Sequence, residues 1–91
     1  MYTIKYTRSF AKDFKRCKQR GYEMEALNVV MQLLERDGTL PAQYKPHKLS
    51  GKYKHRWECH IKPDWLLVWD KNDTELTMLL MRTGTHSDIF G

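Results

Sequence analysis

The sequence predicts an α+β domain ordered β-α-α-β-β-β, with two N-terminal helices packed on one face of an antiparallel sheet. Three observations predict it. The 91 residues suffice for a single domain, residues 1–91. Two consecutive early segments carry apolar residues at helical spacing and end at Gly21 and Gly38. The second half instead alternates apolar and polar residues between turn signals.

In the segment 2–6, Tyr2, Ile4 and Tyr6 share one face, as in a short strand. Thr7 or Ser9 can then cap a helix running to about Arg20. On it Phe10, Phe14 and Cys17 form the apolar stripe, and Arg8, Lys12, Lys15 and Lys18 the basic face. A second helix spans about residues 23–37, with Leu27, Val30, Met31 and Leu34 facing the core. From Leu40 to Gly51 the chain holds Pro41, Pro46 and Gly51, so a surface loop is expected. In the strand over 53–61, Trp57, Cys59 and Ile61 share one face, and Arg56, Glu58 and His60 the other. Pro63-Asp64 marks a turn, 65–69 an apolar strand, 71–74 a hairpin loop and 75–83 the last strand. Helices cover one sheet face, which leaves Arg56, Glu58 and His60 on the open one.

The longest apolar run, Trp65 to Trp69, has five residues, whereas a membrane-spanning helix needs about 20. The N-terminal residues lack the pattern of a signal peptide, so a soluble, cytoplasmic protein is expected. Cys17 and Cys59, 42 residues apart, match no zinc motif and read as buried apolar residues.

Sixteen Lys and Arg against eleven Asp and Glu give a net charge of +5, unevenly spread. Residues 1–21 hold seven basic side chains and one acid, Asp13, and a second basic block covers 41–62. Acidic blocks separate them. This pattern fits a basic surface turned toward a polyanion, or exposed helix faces that are simply solvated.

All four histidines, His47, His55, His60 and His86, lie in the second half of the chain. Imidazole titrates near neutrality, so such a cluster suits general acid–base chemistry. Metal ligation fits poorly: His55 and His60 fall on opposite strand faces, and Cys59 points away from His60. Pairing of neighbouring strands would bring His60, Asp64, Arg82 and His86 to one end of the sheet. That grouping supplies a proton acceptor, a proton donor and a fixed cation for a phosphate. Gly84 permits a sharp turn before His86.

Three segments in order carry a resemblance: Tyr44-Lys45-Pro46-His47-Lys48-Leu49-Ser50-Gly51, Glu58-Cys59-His60-Ile61-Lys62-Pro63-Asp64-Trp65, and Arg82-Thr83-Gly84-Thr85-His86 through Phe90. Together they resemble the YafQ-type toxins of the RelE superfamily, from bacterial type II toxin–antitoxin systems, essentially end to end. The resemblance implies a RelE-like fold and a ribosome-dependent mRNA endonuclease that halts translation. It also implies an acidic antitoxin partner, in a complex that can bind operator DNA, and no membrane partner. His47, His60, Asp64 and His86 match the acid–base set, and Arg82 a basic residue at the phosphate. Trp65 and Phe90 match aromatic positions implicated in activity, and Arg56, Lys52 and Lys54 are expected along the RNA. Arg8, Lys12 and Lys15 are expected to meet the ribosome. Relatives cleave without metal or other cofactor, the 2′-OH attacking the adjacent phosphorus. The family commonly has an Arg directly before the acidic residue of this strand. Here Trp57 precedes Glu58 and the Arg is Arg56, an offset that changes strand face.

Each residue also has a plainer reading. Trp65 fits core packing as well as base stacking, His47 can serve only its loop, Arg82 can be a strand-end cation, and His55 falls on no motif. Two rival functions share features of the chain. A gyrase-poisoning toxin of the same superfamily would not require the His/Asp set. A non-catalytic RNA-binding module would display a pair of stacking aromatics where this strand has Arg56, Glu58 and His60.

Overall fold

The computed structural model describes residues 1–51 and 56–91; Lys52 and Lys54, expected along the RNA, and His55 lie outside the described residues. The elements run β1 (Thr3–Tyr6), α1 (Arg8–Gln19), α2 (Met24–Asp37), a 3-10 turn (Ala42–Tyr44), β2 (His47–Lys48), β3 (Arg56–Lys62), β4 (Trp65–Asn72), β5 (Thr77–Gly84) and α3 (His86–Phe90).

Both long helices form where the spacing places them. Thr7 caps α1, its hydroxyl accepting from the Phe10 N–H at 3.0 Å. Gly38 ends α2 at φ +71°, and a side chain there would collide with the Tyr2 ring. Phe10 and Cys17 of α1 and Leu27, Val30 and Leu34 of α2 are buried against Cys59, Leu67, Trp69, Met78 and Leu80 of the sheet. Cys17 and Cys59 are free thiols. Both have raised pKa values, chiefly through burial, and Cys59 is pushed up to about 12.

The sheet order is β1-β5-β4-β3-β2. It departs from expectation in three ways. First, it is mixed, because β1 pairs parallel with β5 in the register Thr3↔Thr77 to Tyr6↔Leu80. The α1–α2 hairpin separates β1 from the strands that follow, and a long crossover permits parallel pairing where a tight hairpin would not. Second, the loop over 40–51 contains β2, whose His47 pairs with Glu58 and Lys48 with Trp57. Third, the face opposite the helices is partly covered: Ile89 of α3 packs on Leu66 and Val68, with Leu49 and Met81 beside them.

Two irregularities in the ladder shape that second face. The β3–β4 register shifts between His60 and Lys62, just before the Pro63-Asp64 turn. In β5, Leu80 pairs with Trp69 but Arg82 pairs with Val68, so Met81 is an extra residue. Simple alternation would put Arg82 on the helix face with Met78 and Leu80. The extra residue moves it to the other face, on the same cross-strand row as Val68 and Glu58.

Candidate active site

Three imidazoles stand in a row on the second face. The rings of His47 and His60 are 6.5 Å apart, and those of His60 and His86 5.9 Å. Each is supplied by a different element: β2, the end of β3, and the first turn of α3.

The partners determine which ring nitrogens carry protons. His47 Nδ1 lies 2.9 Å from the Lys45 carbonyl, and His60 Nδ1 lies 3.1 Å from the Pro63 carbonyl. A carbonyl only accepts, so each Nδ1 is the N–H donor and each Nε2 faces elsewhere. For His47 that nitrogen is 3.2 Å from Glu58 Oε1, which also lies 4.0 Å from His60 Nε2. Glu58 is only 5% exposed, and its burial between two imidazoles gives a charge that has partners.

His86 is held twice by one carboxylate oxygen. Asp64 Oδ1 accepts from His86 Nδ1 at 2.7 Å and from the His86 backbone N–H at 3.0 Å. The backbone bond first, then the side-chain bond, lowers the pKa of Asp64 below the ordinary carboxylate range. The ring is thereby oriented with Nε2 away from the carboxylate, the arrangement in which an Asp supports an imidazolium.

The turn that delivers His86 is built from neighbouring residues. Gly84 has φ +148°, and a Cβ there would lie 2.7 Å from Asp88 Oδ2. Thr85 and Asp88 form a reciprocal capping box that starts α3. Arg20, the residue that caps the end of α1, donates to both Asp88 oxygens, at 2.7 and 3.2 Å, and lowers that carboxyl's pKa. Helix α1 therefore anchors the short element that carries His86.

Arg82 is held from the same helix. Asp13, 3% exposed, accepts from Arg82 Nε at 2.6 Å, from Arg16 Nη2 at 2.9 Å and from the Thr83 N–H at 3.1 Å. Arg82, Arg56 and Phe90 also line a cavity of about 230 Å³ on this face. Arg56 thus shares the face of Glu58 and His60 despite its offset in sequence.

The sequence-predicted residues fall into groups. His47, His60, Asp64 and His86 converge, and Arg82 lies across β4 from Glu58. Phe90 is 43% exposed at the edge of this region. Trp65 is 3% exposed and donates from Nε1 to Thr83 Oγ1 at 2.9 Å, so its ring is mainly part of the core. Arg8, Lys12 and Lys15 are exposed along α1, away from its buried residues Phe10, Asp13 and Cys17. Two site residues escaped the sequence reading. Glu58 was visible as a strand acid beside His60, and alternation already put both on one face; Asp13 stood out as the lone acid in a strongly basic segment. Among the described residues, no group of three or more His, Cys, Asp or Glu is arranged to hold a metal. No helix there is long and apolar enough to cross a membrane.

Residues 2–91 match a family model described as the bacterial toxin of type II toxin–antitoxin system, YafQ. The chain is 38% identical over 89 residues to the mRNA interferase toxin YafQ of Escherichia coli K12, covering 97% of this chain and 95% of that one. It superposes on YafQ in the E. coli DinJ–YafQ complex with a TM-score of 0.90, at 36% identity and full coverage of both chains. A metal-bound toxin from Helicobacter pylori also superposes at 0.90, with 39% identity over 99% of this chain and all of that one.

Proposed function

The chain belongs to the YafQ family of bacterial type II toxins and is an endoribonuclease of the mRNA interferase type; on that premise, we propose that it cuts mRNA on the translating ribosome by metal-independent acid–base catalysis. The observation that carries this mechanism is the row of imidazoles ended by the Asp64–His86 pair.

Cleavage begins with attack of a 2′-OH on the adjacent phosphorus. The new O2′–P bond forms as the P–O5′ bond breaks, leaving a 2′,3′-cyclic phosphate and a 5′-hydroxyl. His60 is the general base: its Nδ1–H is committed to the Pro63 carbonyl, so the neutral ring offers its lone pair at Nε2 to the 2′-OH proton. Glu58 favours the imidazolium that results. His86 is the general acid. Asp64 supports its imidazolium, and Nε2 passes its proton to the departing 5′-oxygen. Arg82, with Arg56 on the same face, supplies positive charge for the phosphoryl oxygens. His47, paired with Glu58, holds that carboxylate in place and completes the acid–base set.

Phe90, exposed beside Arg56 and Arg82, offers an RNA base a stacking surface. The cationic face of α1, with Arg8, Lys12 and Lys15, suits the ribosomal RNA backbone. The E. coli relative is seen with the antitoxin DinJ, and we read this chain as neutralised in the same manner by an acidic antitoxin.

The test is primer extension on a defined mRNA, with and without translating ribosomes, beside His86→Ala. Discrete cuts that need the ribosome and vanish in the variant support the whole reading. Cuts on naked RNA remove the ribosome requirement, and retained cleavage by the variant removes His86 from the mechanism.

A further inference from the structure

A second concavity, of about 360 Å³, lies between the start of α2 and the β3–β4 turn, lined by Tyr22, Glu23, Lys62, Asp64, Trp65 and Thr85. Its volume falls in the range of small-ligand sites. We infer that this cleft takes the base of a nucleotide next to the scissile phosphate, and that Glu23 and Lys62 at its mouth read that base. The inference rests on the nuclease reading and adds to it a recognition site.

Position is the first argument. Asp64 and Thr85 belong to the cleft wall, while Asp64 also holds His86 and Thr85 immediately precedes it. A chain whose phosphate lies at His86 can therefore place a neighbouring base here.

The second argument is shape and rigidity. Tyr22 and Trp65 meet edge to face, with centroids 4.8 Å apart and planes at 65°. Trp65 is fixed by its bond to Thr83, and Thr83 in turn donates to the Leu66 carbonyl at 2.7 Å. Trp65 is itself buried, so the half-buried Tyr22 ring, held in place by Trp65, presents the aromatic surface of the cleft, and single-stranded RNA is read by stacking bases on such surfaces.

Charge is the third. Lys62 Nζ and Glu23 Oε2 are 3.8 Å apart, and their side chains are 53% and 73% exposed. One donor and one acceptor side by side complement a base edge that presents an acceptor beside a donor, such as the ring nitrogen and amine of adenine or cytosine or the carbonyl and ring N–H of uracil or guanine. Which base is preferred is then set by how the pair is spaced against the cleft wall. Glu23 is also available for this role: it occupies the N-cap position of α2 but makes no side-chain capping bond.

The experiment maps cut sites by sequencing on a translated reporter library randomised around one codon, comparing wild type, Glu23→Gln, Glu23→Lys and Tyr22→Ala. At one position beside the cut, wild type shows a marked preference among the four bases. Glu23→Lys lowers that preference about tenfold, the scale of one side chain–base contact, and leaves preferences at other positions intact. Glu23→Gln, which keeps an acceptor oxygen, loses less, and Tyr22→Ala weakens preference without reversing it. An unchanged cut-site distribution in the variants overturns the cleft as a base site. So does a uniform loss of cutting with preferences retained, which would point to docking of a protein partner. Absence of cuts by wild type would instead remove the nuclease mechanism itself.

Discussion

Asp13 and Arg82 are 69 residues apart in sequence, yet the carboxylate of one accepts from Nε of the other at 2.6 Å. The same carboxylate takes the Thr83 backbone N–H and a guanidinium nitrogen of Arg16. Truncation to Asp13→Ala would leave these donors without their acceptor. We expect a loss of about 2–4 kcal/mol in urea unfolding, with Asp13→Asn losing less. Cleavage falls more than stability explains, because Arg82 loses the seat that orients it. A variant with wild-type kcat at a temperature where it is fully folded would refute that coupling.

Asp64 stays ionised throughout the neutral range. His86 holds its pKa below the ordinary value, so the stabilisation it brings is present above about pH 3.9 and lost as pH falls through the lower folded value. The carboxyl carbon resonance of Asp64 should therefore stay flat from pH 8 to about pH 5. Asp64→Asn frees the imidazole to turn and removes its counter-charge, lowering single-turnover cleavage about 10²- to 10⁴-fold. RNA binding is expected to change little.

The Arg20–Asp88 pair makes a separate pH statement about stability. Asp88 also has a depressed pKa, chiefly from Arg20, so its contribution is complete above the ordinary carboxylate value and fades only at lower pH. Asp88→Asn should lower the melting temperature by about 4–8 °C, the equivalent of roughly 1 kcal/mol in a domain of this size. That difference should be constant from about pH 7 to 5 and shrink below about pH 4. A gap that closes already near pH 6 would contradict the assignment.

Ribosome association through α1 should weaken steeply with salt. Reversing Arg8, Lys12 and Lys15 to Glu should reduce both affinity and the slope of log K against log salt, by about one unit or slightly less per lost phosphate contact. An unchanged slope would move the contact elsewhere.

Chelation tests the metal-independent chemistry directly. Toxin stripped of any bound transition metal with EDTA and then desalted should cleave mRNA on programmed ribosomes, in their ordinary magnesium buffer, at an unaltered rate, while Glu58→Ala should cleave more slowly. Recovery only on adding back a transition-metal ion would overturn the imidazole mechanism.

Much of this site was legible from local pattern. Helical spacing placed Phe10, Cys17, Leu27, Val30 and Leu34 inside, and strand alternation put Glu58 and His60 on one face. Non-local pairing was not legible, because no residue in β1 records that its neighbour is β5 or that the two run parallel. Asp13 was visible only as the one acid of a basic segment, and the packing of α1 beside the end of β5 reveals its partners. Trp65 could have been core or surface from sequence, and its bond to Thr83 shows the core.

The extra residue at Met81 acts as a half-period phase shift in a strand whose side chains repeat every two positions. Before it, Met78 and Leu80 serve the interior; after it, Arg82 faces the cleavage region. One strand thus carries two messages read in different frames. Substitutions at position 81 that preserve the backbone count should be absorbed, whereas deletion of that one residue would return Arg82 to the interior frame. The site is therefore guarded by chain length at this point more than by the identity of the side chain.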